Sequence, residues 1–129
     1  MTIDLQNTDS HSSNSFVDEA INNSNTPVVL FSLGWCSFCR ALKQLLDSLQ
    51  VHYKVYELDQ GEFLEPQLQR STRARLRELG NSGTLPQLFV ATQPMGGYTD
   101  VLAAAQRGAL QDLLTKHNIP FGSTAEARH

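Results

Sequence analysis

The chain has 129 residues, 40% of them apolar, with ten Lys or Arg against thirteen Asp or Glu and a formal net charge of −3. That length supports one domain with a core of its own, and a pI near 5.7 speaks against nucleic acid as a partner. No apolar run approaches the roughly 18 residues of a membrane span, so no membrane association is expected.

Residues 1–14 are polar, rich in Ser, Asn, Asp and Thr, and read as a disordered tail. They hold no basic start, apolar stretch or cleavage pattern, and Asp4 and Asp9 without any Arg speak against an organellar transit peptide. A reducing, cytoplasmic compartment is therefore expected. Ser15 caps a short helix in which Phe16, Val17, Ala20 and Ile21 share one face, broken by residues 22–26. Pro27 then opens Val28-Val29-Leu30-Phe31, a continuous apolar run of the kind buried on both faces of a parallel sheet. Beyond it, Phe38, Ala41, Leu42, Leu45, Leu46 and Leu49 recur at helical spacing and predict an amphipathic helix over 36–50. Val51 to Leu58 alternates as a second strand, completing a β-α-β unit.

A third helix is predicted over 66–79, stopped by Gly80. Its Arg70, Arg73, Arg75 and Arg77 read as a solvated face, or alternatively as an anion-attracting wall. Leu85 to Val90 is a strand opened by a proline, where no ladder donor is needed. Residues 93–97 read as a turn between antiparallel strands. Val101, Leu102 and Ala105 predict a helix from Asp100; Gly108 interrupts it, and Ala109, Leu110, Leu113 and Leu114 continue it. Residues 118–129 read as a loose tail, leaving a domain over 15–117. The fold class is α/β: a four-stranded mixed sheet sandwiched by helices.

The chain has two cysteines, and they form one C-x-x-C, Cys36 and Cys39. A structural zinc site needs about four N or S ligands, and His11, His52, His117 and His129 are scattered, so no metal is expected. The pair stands where a strand runs into a helix. There the first cysteine meets the unpaired N–H groups and the positive end of the helix dipole, which favour a thiolate. Cys39, one turn inside, stays protonated and is placed to resolve a mixed disulfide formed at Cys36.

Three motifs now carry a resemblance over roughly Phe16 to Leu114. Trp35-Cys36-Ser37-Phe38-Cys39-Arg40 resembles a glutaredoxin active site of the WCSYC kind, Thr84-Leu85-Pro86 the family's TVP motif, and Gly96-Gly97-Tyr98-Thr99-Asp100 its GG-x-[ST]-D motif. The resemblance implies a thioredoxin-like fold and a glutathione-dependent thiol–disulfide oxidoreductase, with Cys36 as nucleophile and Cys39 resolving. It implies a cis Leu85–Pro86 bond presenting backbone to glutathione. Thr99 and Asp100 would hold the γ-glutamyl end, with Trp35, Phe38, Thr84, Gly97 and Tyr98 around the ligand. Two positions depart from the pattern: Leu33 and Gly83 stand where many members carry Lys and a basic or amide residue. Arg40, or one of Arg73, Arg75 and Arg77, would then hold the glycyl carboxylate. The implied partners are glutathione and disulfide-bonded or glutathionylated proteins, met by a monomer with no tightly bound cofactor. The alternative is a [2Fe–2S] cluster bridging a dimer, ligated by Cys36 and glutathione, which Ser37 in place of Pro would favour. A thioredoxin-type enzyme fed by a flavoprotein reductase is disfavoured by the GGYTD turn.

Overall fold

A computed structural model describes residues 16–80 and 82–122. A helical segment over residues 16–22 (α1) leads to β1 (Val28–Ser32), α2 (Ser37–Ser48) and β2 (Lys54–Glu57). A 3-10 turn (Gly61–Leu64) and α3 (Pro66–Gly80) follow, then β3 (Gln87–Val90), β4 (Gln93–Gly96), α4 (Tyr98–Gln106) and α5 (Ala109–Lys116). The strands lie in the order β2-β1-β3-β4. β1 runs parallel to β2 with Leu30 opposite Val55, and antiparallel to β3 with Leu30 opposite Leu88. The sheet is therefore mixed and thioredoxin-like, as the sequence predicts.

Every residue of β1 is buried, because helices cover both faces of the central strand. The period-two pleat divides it. Val28 and Leu30 join Leu42 and Leu46 of α2, Val101 of α4 and Leu110 of α5 on one side. Val29 and Phe31 join Val17, Phe63, Leu76 and Phe89 on the other. An aromatic group closes that second cluster, with Phe16 edge-on to Tyr56 at 5.0 Å, and Arg75 ties α3 to Asp18 of α1 at 3.0 Å.

Three expectations are corrected. The second strand covers Lys54–Glu57 instead of all of 51–58, since Val51 is spent as a core plug at the end of α2, its N–H bonded to Leu46 O at 3.2 Å. The turn predicted over 93–97 falls instead at Ala91 and Thr92, both with left-handed φ (49° and 72°), and Gln93–Gly96 is an edge strand. Pro94 is tolerated there because an edge position can spare a ladder donor. The first residues of the segment read as a tail are packed: Ile119 is buried with its N–H on Leu114 O at 2.8 Å, and Gly122 N donates to Leu49 O. The N-terminal tail over 1–14 and the remainder of the C-terminal one, 123–129, lie outside the described residues. Among the described residues no helix is long and apolar enough to cross a membrane.

Candidate active site

β1 ends at Ser32, and the turn Leu33–Trp35 delivers Cys36 to the N-cap of α2 in an extended conformation (φ −82°, ψ 127°). There its Sγ accepts the Cys39 N–H at 3.2 Å, using one of the donors that a helix start leaves unpaired. No acidic residue occupies the first turn of α2, so nothing on that turn opposes negative charge on the sulfur. Cys39 faces inward and is fully buried, with its Sγ 3.3 Å from the Leu33 N–H that it accepts. Burial, helped by the bond to Cys36, pushes the Cys39 thiol up from 9.0 to about 11. The two sulfurs are thus unlike: Cys36 is partly exposed at the rim, and Cys39 is held beneath it as a thiol. Trp35 and Phe38 stand out into solvent beside Cys36, 72% and 58% exposed.

Next to Phe38 opens a cavity of about 440 Å³. One wall is Thr84, Leu85 and Pro86, with the Leu85–Pro86 bond cis. The other is Gly97, Tyr98, Thr99 and Asp100 at the start of α4, where Tyr98 stacks on Phe38 at 6.2 Å. The walls touch at Gly97, where a Cβ would lie 3.3 Å from Pro86 O. Gly96 takes φ 86°, open to glycine, and any Cβ there would meet the Asp100 carboxylate. That carboxylate accepts the Gly97 N–H at 3.3 Å and so caps α4.

Gly96 of the motif lines the cavity too, and so do Gly80, Ser82 and Gln87, which were not among the residues expected from the motifs. Gln87 is the informative one. It is 4% exposed, and its Nε2 donates to Ser82 O at 2.6 Å and Thr84 O at 3.0 Å, lashing the loop before Pro86 to β3. A lone amide inside the apolar run Leu85–Val90 was the signal, because a buried polar side chain must have partners.

The candidate cations separate. Arg77 lays its guanidinium across Gly83: a Cβ there would sit 2.9 Å from Nε and 3.1 Å from an Nη. It thereby fills the space that a side chain at 83 would claim. None of Arg40, Arg73 and Arg77 lines the cavity itself, and neither do Trp35 and Cys36; of the three arginines, Arg77 is the one set against Gly83, next to the wall residue Thr84. Arg75 is committed to Asp18 and Glu78, each at 3.0 Å, and Lys43 to Glu57. Leu33 packs into the apolar cluster under α1 and α3. Among the described residues no three His, Cys, Asp or Glu side chains group as a metal site.

A family model described as Glutaredoxin matches residues 28–94. The chain is 32% identical over 125 residues to monothiol glutaredoxin-S12, chloroplastic, of Arabidopsis thaliana, covering 95% of this chain and 68% of that protein. It is 35% identical over 101 residues to glutaredoxin-2 of Schizosaccharomyces pombe, covering 78% and 86%. The structure of a buckwheat glutaredoxin–glutathione complex superposes with a TM-score of 0.74 at 25% identity, covering 85% of this chain and 94% of that one. The holo form of glutaredoxin C1 from a Populus hybrid gives 0.71 at 30% identity, covering 82% and 98%.

Proposed function

Because the chain belongs to the glutaredoxin family and is a thiol–disulfide oxidoreductase, we propose that it reduces glutathione mixed disulfides and protein disulfides at Cys36, with glutathione as reductant. The observation that carries this reading is the pairing of one rim thiol on a helix N-cap with the adjoining cavity, whose walls are the Thr84–Pro86 and Gly97–Asp100 segments. The Cys36 thiolate attacks the glutathione sulfur of a mixed disulfide; the target's sulfur leaves with the electron pair and takes a proton from solvent. The glutathionyl group is now on Cys36. A second glutathione thiolate displaces it as glutathione disulfide, restoring Cys36. Alternatively Cys39 gives up its proton, attacks Cys36 and expels glutathione, closing the Cys36–Cys39 disulfide.

In this assignment the ligand's cysteine lies along the backbone of Leu85. Its γ-glutamyl carboxylate meets the amides that open α4, and its ammonium meets Asp100. The glycyl carboxylate is given to Arg77, whose guanidinium stands over Gly83 beside Thr84. The compartment we assign is a reducing one, the cytoplasm, where a dithiol persists. A monomer suffices for every step.

Turnover of a glutathionylated peptide tests the assignment. Cys36→Ser abolishes activity, while Cys39→Ser keeps the glutathione-driven route and loses the dithiol one; activity surviving in Cys36→Ser but not in Cys39→Ser would reverse the roles. A second reading, a [2Fe–2S] cluster shared by two subunits, draws on the partial exposure of Cys36 and the open position of Ser37. Each subunit would offer Cys36 and a bound glutathione as ligands. A visible absorption band and a dimer after anaerobic reconstitution support it, and a colourless monomer rejects it.

A further inference from the structure

The Asp59 carboxylate accepts the Gly34 N–H with both oxygens, at 3.1 and 3.2 Å. Gly34 stands two residues before Cys36, and no step above uses Asp59. The carboxylate rests on a firm support: its neighbour Leu58 is fully buried and donates its N–H to Ser32 O at 2.9 Å. A Cβ at residue 34 would lie in ordinary contact with both Asp59 oxygens, at 3.6 Å, and would displace only the flexible end of Gln60, 2.5 Å away at Nε2. One residue upstream, the Leu33 N–H meets Cys39 Sγ at 3.3 Å, while Leu33 O accepts the Cys36 N–H at 3.3 Å. The turn that Asp59 holds is therefore the one that aims a donor at the buried sulfur.

We propose that Asp59 is a positioning residue for the resolving half-reaction: by pinning Gly34 it keeps the Leu33 N–H on Cys39 Sγ, where it stabilises the thiolate that must displace the mixed disulfide from Cys36. The inference rests on Cys36 being attacked first, as assigned above. Cys39 has the greater need of such a donor, since burial pushes its thiol up and the Leu33 N–H is among the groups that pull it back. Cys36 draws on a different donor, the Cys39 N–H within α2 itself. Loosening the turn thus touches the two sulfurs unequally.

The test is a single turnover of the fully reduced protein with 2-hydroxyethyl disulfide in the absence of glutathione, quenched and followed by mass. Cys36 attacks, one mercaptoethanol leaves, and the Cys36 adduct accumulates. Cys39 then loses its proton and expels the second mercaptoethanol as the Cys36–Cys39 disulfide forms, so the dithiol is oxidised and the reagent reduced to two thiols. In Asp59→Ala the adduct forms at the native rate and decays roughly three- to tenfold more slowly, as expected for a displaced hydrogen bond to a charged sulfur. Asp59→Asn, which keeps a carbonyl acceptor, decays close to the native rate. Native decay in Asp59→Ala, equal slowing of both steps, or an Asn variant as slow as the Ala one would each overturn the proposal. Because no glutathione enters, a chain that failed to use glutathione would still report on Asp59.

Discussion

Replacing Gln87 by Leu tests whether the cavity wall is held from beneath. The substitution keeps an apolar body of similar length in β3 but removes the amide that serves both Ser82 O and Thr84 O. Each bond is worth a net of about 1 kcal/mol, and the pair gives a loss of about 2 kcal/mol. For a domain of this size that is a fall in Tm of about 6–9 °C. The larger consequence is functional. Thr84, Leu85 and Pro86 stand just beyond the freed carbonyls and form one wall of the cavity, so KM for a glutathionylated peptide rises roughly three- to tenfold as the wall loses its fixed position. Alkylation of Cys36 by iodoacetamide, which needs no cavity, stays within about twofold of native on the same argument. Thermal melting, steady-state kinetics and alkylation on one preparation decide it. An unchanged melt with unchanged KM, or alkylation falling in step with KM, would refute the reasoning.

The remaining expectations concern the thiols, the cations and the core. The fold prefers protonated Cys39, so that stabilisation is whole below the thiol's ordinary 9.0 and drains away as pH rises through about 11. Over that window the reduced native protein loses more stability to denaturant than Cys39→Ser does, and parallel curves would contradict it. Arg77→Ala raises KM for the glutathionylated peptide roughly threefold with kcat unchanged, whereas Arg75→Ala, which breaks only the ties to Asp18 and Glu78, leaves KM alone; equal effects would remove Arg77 from the site. Leu42→Ala empties a fully buried position beneath the active-site helix and costs about 2–5 kcal/mol by denaturant unfolding, with Cys36 alkylation preserved.

Local chemistry made much of this molecule readable. The helical spacing of Phe38 to Leu49 announced α2, and the apolar run at 28–31 announced a central strand, because burial on both faces removes alternation. The edge hairpin was harder. Pro94 and the glycines at 96 and 97 are strong turn signals, yet the reversal occurs at Ala91 and Thr92, where side-chain chemistry gives no warning of left-handed φ. Ile119 was likewise invisible as a core residue, since Ile119 and Phe121 about a proline are too short a segment to establish a period.

From the order of residues alone follow the β-α-β unit, the placing of one cysteine at a helix start and the other a turn inside it, and the three motifs that name the family. These depend on spacing along the chain. Tertiary structure alone decided which arginine stands by the Thr84–Pro86 loop, that Gln87 lashes that loop down, and that Asp59 pins the turn before Cys36. Each is a contact between segments remote in sequence or a matter of side-chain direction, and closing the fold is what brings such groups within hydrogen-bonding distance.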